Sequence, residues 1–382
     1  MSQNQLTPKN ILKYVEKIIG EEFHQKRVES IANAAIGVIK AVDLKVQSIG
    51  HGLASMLDKE SKHAIKQIDR YLSNEGIEME EFFGCWVKYQ VGNLKEIVVA
   101  MDWTEFGRDE QTTLTIHQIS RHSRAMPLLW KSVEKGSLKD KRNDYEDEML
   151  NQLKENLASQ TKVIILADRG FADTKLMELL TKLDFDYVIR IKKNFYVENQ
   201  EKVSKTAQDW LSDENIAITI KDAFLTEEKY EIKRFVAVKD DGMKQAWFLV
   251  SSLELSATTI KKLYAKRFTI EEGYRDFKDD RFGLGLSNTS VKSTSRRDRL
   301  LIAAAIANGL LTILGAAGED LGYDRLLKSN TSKSRTHSLF RQGILYFDKL
   351  TNMRPERKVP LLNRFAELLS IHQLFAFQLY LA

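Results

Sequence analysis

Cysteine occurs once in 382 residues, at Cys85, which excludes an intramolecular disulfide and a zinc site built from several thiolates. Proline occurs four times and glycine nineteen times, too few for a collagen-like or Pro/Gly-rich low-complexity chain. Long apolar runs are also lacking. The best candidate, Leu300 to Ala317, is interrupted by Asn308 and by glycines, so no membrane span and no membrane partner are expected. The start, Met1-Ser2-Gln3-Asn4-Gln5, has no basic region followed by an apolar stretch, so no secretory signal is expected either. These absences together point to a cytoplasmic protein.

What is present is a globular composition, 43% hydrophobic and 29% charged, long enough for two or three domains. The net charge of +5 is unevenly spread. Residues 1–95 carry 13 Lys/Arg against 12 Asp/Glu, whereas residues 291–341 carry nine basic residues against four acidic ones. Such an excess suits a polyanion, nucleic acid above all. It equally suits an ordinary solvated surface.

Residues 1–90 read as helical. Ile11, Leu12, Val15, Ile18 and Ile19 recur at helical spacing, and Ser61 to Leu72 reads as a capped amphipathic helix with a basic face carrying Lys62, Lys66 and Arg70. The period changes at Glu96. Ile97-Val98-Val99-Ala100-Met101 is a β-branched run, the pattern of a strand buried on both faces, and it stops at Asp102. Gln111 to Ile119 alternates, and Ala125 to Trp130 is a further strand. A charged helix, Asn143 to Leu157, leads to a second buried run, Val163 to Ala167, which again ends at an aspartate, Asp168. Asp173 is placed to cap a helix from Thr174 to Leu183, before a strand at Tyr187 to Ile191. This order requires a mixed sheet with helices on its faces, an α/β fold. Residues 192–251 break the rhythm with short strand-like pieces, and helical spacing returns over 257–280 and 296–314.

In open α/β sheets functional groups gather at the carboxyl ends of strands, so Asp102 and Asp168 are expected side by side. Each is also a residue that ends strands merely by favouring turns. On a continuous helix, Tyr264, Arg267, Glu271, Arg275 and Lys278 fall within a stripe of roughly 80°. One face then presents a carboxylate, cations and a phenol, which suits either chemistry or a solvated row of ion pairs. Two Mg²⁺ ions held by Asp102, Asp168 and Glu271 would activate a water or a DNA 3′-hydroxyl for in-line displacement at phosphorus. Mg²⁺ prefers a few carboxylates plus water and phosphate, and Mn²⁺ can substitute. The seven histidines are scattered along the chain and offer no competing cluster. Glu272, the rival to Glu271, points about 100° further round the helix.

The pattern Tyr264-x2-Arg267-x3-Glu271-x6-Lys278 resembles the Tyr-Arg-Glu-Lys signature of bacterial cut-and-paste transposases of the insertion-sequence-four family, the group that includes the Tn-five transposase. Asp102 in Ala-Met-Asp-Trp-Thr and Asp168 in Ala-Asp-Arg-Gly-Phe-Ala-Asp resemble its two aspartate blocks. The resemblance covers about Glu96 to Leu286. It implies a ribonuclease H-like core (91–191 and 252–320) interrupted by a β-rich insertion (192–251), between a helical DNA-binding region (1–90) and a helical C-terminal region (321–382). It further implies that Tyr264, Arg267 and Lys278 hold phosphates; Arg275, from its place on the same helix stripe, is expected as a further DNA contact. Trp247 is similar to the tryptophan that stacks on a flipped base, and it also suits an apolar strand as a core residue. The implied partners are terminal inverted repeats and target DNA, with a homodimer forming on the DNA ends. A metal-dependent nuclease of the same fold, or a DNA-binding protein without cleavage activity, are the other readings.

Overall fold

The computed structural model describes residues 6–106, 110–211 and 217–379; the Met1 to Gln5 segment read above for a secretory signal lies outside them. Five helices come first: α1 (Pro8–Ile19), α2 (Gln25–Ala41), α3 (Val46–Leu57), α4 (Ser61–Leu72) and α5 (Met79–Val91). Thr7 starts α1 by accepting the Asn10 amide, with Pro8 at the first turn where its missing N–H costs nothing. The α4 helix starts without a side-chain cap, because Glu60 stands at the capping position and makes no such bond.

The sheet begins with β1 (Glu96–Thr104), β2 (Gln111–Gln118) and β3 (Met126–Glu134). Next come α6 (Arg142–Asn156), β4 (Lys162–Ala167), α7 (Thr174–Lys182) and β5 (Phe185–Arg190). Asp173 caps α7 through the Lys175 amide at 3.0 Å. The strands β6 (Tyr196–Glu198), β7 (Ser204–Thr206), β8 (Ile218–Leu225), β9 (Tyr230–Val238) and β10 (Trp247–Ser251) follow. All ten form one sheet in the order β3-β2-β1-β4-β5-β10-β9-β8-β6-β7. The pairs β1/β4 and β4/β5 are parallel, and the other strand pairs are antiparallel. The strands between residues 192 and 251 therefore extend the same sheet through β10.

Two expectations change here. First, β1 does not stop at Asp102 but runs on to Thr104, because Asp102, Trp103 and Thr104 pair with Thr115, Leu114 and Thr113 of β2. Second, the alternation of β2 does not divide core from solvent, since every residue from Gln111 to Gln118 is buried. Two of its threonines find partners inside: Thr113 meets Ser132 at 2.9 Å, and the Thr115 hydroxyl lies 2.5 Å from that of Tyr274.

After the sheet come α8 (Ala257–Ala265), α9 (Thr269–Lys278), α10 (Thr294–Asp320), α11 (Leu339–Lys349) and α12 (Pro355–Ser370). Helix α10 is long and apolar enough to cross a membrane, with a mean hydropathy of 2.1 over its most apolar window, which corrects the expectation of no such run. Yet 94% of that window is buried, because α10 packs at once against α2, α4, β3, α11 and α12. At the α10–α11 crossing a side chain on Gly315 would strike the Leu339 carbonyl, and one on Gly343 the Leu311 carbonyl. Only glycine permits that approach. One continuous hydrophobic cluster joins the N-terminal helices, the sheet and the C-terminal helices, from Leu6 to Leu368.

The basic excess over 291–341 is largely structural. Arg297 and Arg299 are buried, at 1% and 7% exposure, and Arg299 donates to the Leu72 carbonyl. Arg296 pairs with Asp69, Lys328 with Asp324 and Arg335 with Glu319. Much of the local charge is thus spent inside the protein.

Candidate active site

Strands β1 and β4 run parallel, and their last registered pair is Met101 with Ala167. The next residue on each is an aspartate. Asp102 and Asp168 therefore occupy neighbouring positions on strands about 4.8 Å apart. Asp168 leaves the strand at once and turns, its Oδ1 accepting the Gly170 amide at 2.7 Å. Asp102 stays in the strand.

Cross-strand partners share a face of a sheet. Asp102 pairs with Thr115, whose hydroxyl meets Tyr274 of α9, so Asp102 faces α9. Two residues on, Thr104 lies on that same face and its Oγ1 accepts from Lys278 Nζ at 2.6 Å. Trp103 points the other way, donating to Glu146 of α6 at 2.7 Å. The pleat thus delivers Asp102 to the helix that carries Glu271.

That helix is not continuous with the one before it. Lys266 to Phe268 form a tighter 3₁₀ turn between α8 and α9, which rotates more per residue than an α-helix and breaks the single stripe. Tyr264 belongs to α8 and is 1% exposed, so its phenol is buried. Arg267 is buried in the turn, its side chain 7% exposed, and its Nη2 donates to Glu271 Oε1 at 2.8 Å. The Glu271 side chain itself is 54% exposed. Arg275 does not join this group. Its guanidinium is 70% exposed and pairs with Glu272 at 2.8 Å.

The electrostatics tie the carboxylates together. Burial pushes the Asp102 carboxyl up to about 6; the Arg267 charge opposes that rise, while Asp168 and Glu271 add to it. Arg267 in turn feels Tyr264, Asp102, Glu271 and Asp168, so one buried guanidinium stands among three carboxylates. Its Nε is buried without a partner. Burial lowers the Lys278 ammonium, and Asp102 and Glu105 counteract this. Such a set is acid-rich and short of positive charge, and its hard oxygen donors fit a divalent cation such as Mg²⁺. Among the described residues, however, no three His, Cys, Asp or Glu side chains stand close enough to enclose a single ion.

Trp247, at the start of β10, packs edge-on against Tyr264 with ring centres 5.1 Å apart and stacks on Phe268 at 5.6 Å. Trp247 is half-buried and Phe268 is 36% exposed. Lys62, Lys66 and Arg70 lie exposed on α4, a helix packed against α2, α3 and α10. They are not part of the carboxylate group, and Lys62 is paired with Glu60 at 3.0 Å.

Two groups escaped the sequence reading. Arg124, in the β2–β3 loop, donates to Glu272 at 2.6 Å and approaches Asp276 at 3.6 Å. The neighbouring Ala125 amide donates to the Thr269 carbonyl at 3.1 Å. No sequence spacing links residue 124 to residue 272. The second group is a cleft lined by Arg169, Arg190, Lys192, Lys193, Lys239 and Lys244, with no acid among its described lining residues. Arg190 donates to the Ala246 carbonyl at 3.1 Å, and its Nε is buried without a partner. The Arg190 charge also reaches the Tyr264 phenol. Its signal was available: Arg190 ends β5, the third parallel strand, so the rule that located the aspartates applies to it too.

No curated protein matches the chain. The family described as transposase DDE domain matches residues 94–308, more than half of the 382-residue chain and the whole stretch from β1 into α10. That span includes Asp102, Asp168, Glu271 and the cations around them, and the chain belongs to the transposase DDE domain family.

Proposed function

We propose that the chain is a bacterial, cytoplasmic DNA transposase of the insertion-sequence-four type, with a ribonuclease H-like core, that cleaves the ends of its own element and joins them to target DNA. The observation that carries this reading is the pair Asp102 and Asp168 just past the last registered residues of the adjacent parallel strands β1 and β4, with Arg267 bonded to Glu271 and within electrostatic reach of both aspartates. The order β3-β2-β1-β4-β5, with β1, β4 and β5 parallel, supports the choice of core.

Asp102, Asp168 and Glu271 would hold Mg²⁺ or Mn²⁺ in this reading, drawn closer together than they stand here. Bound there, the metal supplies charge neutralisation and an activated oxygen nucleophile. The chain's own residues do the rest. Arg267, with a free buried donor, and Lys278, beside Thr104, orient the phosphate to be attacked. The cationic cleft beside Asp168 takes neighbouring phosphates of the same strand. Trp247 and Phe268 offer a stacking surface for an unpaired base. Residues 1–90 bind the terminal inverted repeats, with Lys62, Lys66 and Arg70 as phosphate contacts, and two copies act together on the paired ends. Arg275 reaches DNA from the exposed side of α9.

The test is cleavage and strand transfer on duplexes ending in the inverted repeats that flank the gene. Asp102→Asn, Asp168→Asn and Glu271→Gln should each abolish Mg²⁺-dependent cleavage while leaving DNA binding intact. Wild-type rates in any one of them would overturn the site. Cleavage without joining of pre-cut ends would make the protein a nuclease, and binding without cleavage a DNA-binding protein.

A further inference from the structure

The loop that closes α9 carries a feature with no part in the chemistry above. Phe282 is 56% exposed, and two guanidiniums stand over its ring, Arg281 at 5.7 Å and Arg341 of α11 at 5.6 Å. Among the described residues neither arginine forms an ion pair. The nearest acids in sequence are engaged locally within the loop. Asp279 Oδ1 accepts the backbone amides of Arg281 and Phe282 at 2.8 and 2.7 Å, and the Asp280 carboxylate is taken by Asn288.

The loop is also fixed in place. The Gly283 amide donates to the Asp279 carbonyl at 3.1 Å, Leu284 to Asp276 at 2.9 Å, and Leu44 to Leu284 at 3.0 Å. A side chain on Gly283 would meet the Asp276 carbonyl at 2.7 Å. Phe282 is therefore presented outward by a built turn. Two uncompensated cations flanking an exposed aromatic call for a ligand that alternates negative charge with flat or apolar surface. A sugar–phosphate backbone with its bases does so.

Helix α9 connects this surface to the carboxylates. From Glu271 to Lys278 the axis advances about 10 Å at 1.5 Å per residue, roughly three nucleotides of a strand. We propose that Arg281, Phe282 and Arg341 form a landing surface for duplex DNA a few base pairs from the reacting phosphate, the arginines on phosphates and Phe282 against sugar and base edges. This rests on the reading of DNA as substrate.

The test places the photo-crosslinker p-benzoylphenylalanine at position 282 in the full chain and irradiates it with a duplex ending in the flanking inverted repeat. A crosslink within about five base pairs of the cut is expected from the geometry of α9. Arg281→Ala with Arg341→Ala should lower the slope of log affinity against log salt by about 2, with Tm nearly unchanged because neither arginine takes part in an ion pair among the described residues. Phe282→Ala should weaken binding without changing that slope, and Phe282→Trp should restore it. If the wild type binds and cleaves DNA but gives no crosslink and an unaltered slope, the landing surface is wrong and the catalytic reading stands. A crosslink to a protein partner instead would also overturn it. A wild type that neither binds nor cleaves DNA would overturn both readings.

Discussion

The Arg124 guanidinium lies 2.6 Å from the Glu272 carboxylate, while Glu271, one residue earlier, meets Arg267 at 2.8 Å. Two adjacent glutamates are thus sorted to opposite tasks by two arginines from different parts of the chain. Glu272 is held by Arg275 within α9 and by Arg124, and the Arg124 pair fastens α9 to the β2–β3 loop. Gly273 seals that contact, since a side chain there would sit 2.6 Å from the Ala125 carbonyl.

Glu271→Gln should therefore cut single-turnover cleavage by at least about 100-fold, the usual cost of removing a group that acts on developing charge. Glu272→Gln and Arg124→Ala act only through the placement of α9 and should cost about tenfold. Comparing the three rates at saturating Mg²⁺ checks the assignment. A Glu272→Gln enzyme as dead as Glu271→Gln would refute it.

Lys278 donates to Thr104 at 2.6 Å, and its ammonium lies 5.0 Å from the Tyr274 ring centre. If it also contacts a phosphate, Lys278→Met should weaken binding alike for all sequences and lower the salt slope by about 1. Filter binding across a salt series measures this directly. An unchanged slope would leave Lys278 as a structural link between α9 and β1.

Trp247→Ala should weaken binding of pre-cleaved ends by about 1–3 kcal/mol per stacked base, with Trp247→Phe intermediate. A 2-aminopurine placed beside the cut reports the stacking independently. Equal fluorescence with wild type and Trp247→Ala would show that the ring serves only the cluster with Tyr264 and Phe268.

Asp298 is buried on α10, with Oδ1 accepting the Ser132 amide at 3.0 Å. Burial raises its carboxyl to about 7, against which the Ser132 hydrogen bonds and the Arg297 charge pull downward. An unfolded aspartate titrates near about 3.9, so between the two values the unfolded chain is ionised while the folded one is protonated. The Asp298 contribution to stability is then full below pH about 4 and is lost as pH rises through about 7. Asn keeps an acceptor without the charge. The Tm of Asp298→Asn minus that of wild type should grow by about 2–4 °C between pH 4.5 and 8. A difference that stays flat or falls would contradict the assignment.

Gly343→Ala forces a methyl group against the Leu311 carbonyl and should destabilise the fold by about 1–3 kcal/mol, read as a lowered denaturant midpoint. A neutral result would mean that α10 and α11 can separate without loss.

How much of this was legible beforehand follows from the range of each interaction. The two aspartates stood out because parallel strands buried on both faces write continuous apolar runs, and the residue after each run is conspicuous. The α9 motif was legible through helical spacing, but the 3₁₀ turn at Lys266 to Phe268 was not. It separates Tyr264, on α8, from Glu271, on α9. The burial of all of β2 was hidden too, since its alternating threonines imitate a solvated face until Tyr274 and Ser132 cover them. Arg124 lay beyond reach, because its partners are about 150 residues away and no periodicity connects them. The basic stretch near residue 300 left both readings open, since a count of charge does not reveal internal partners such as Asp69 for Arg296 and Glu319 for Arg335.

Helix α10 has a consequence for how such a protein diversifies. Because the N-terminal helices and the ten-stranded sheet are packed against the same apolar rod, neither half can be exchanged for a foreign counterpart without exposing its shared wall. New binding preferences would have to arise by substitutions on outward faces, one residue at a time, rather than by shuffling whole modules. Mobility of the element in the genome would thus rest on a protein whose own parts are not interchangeable.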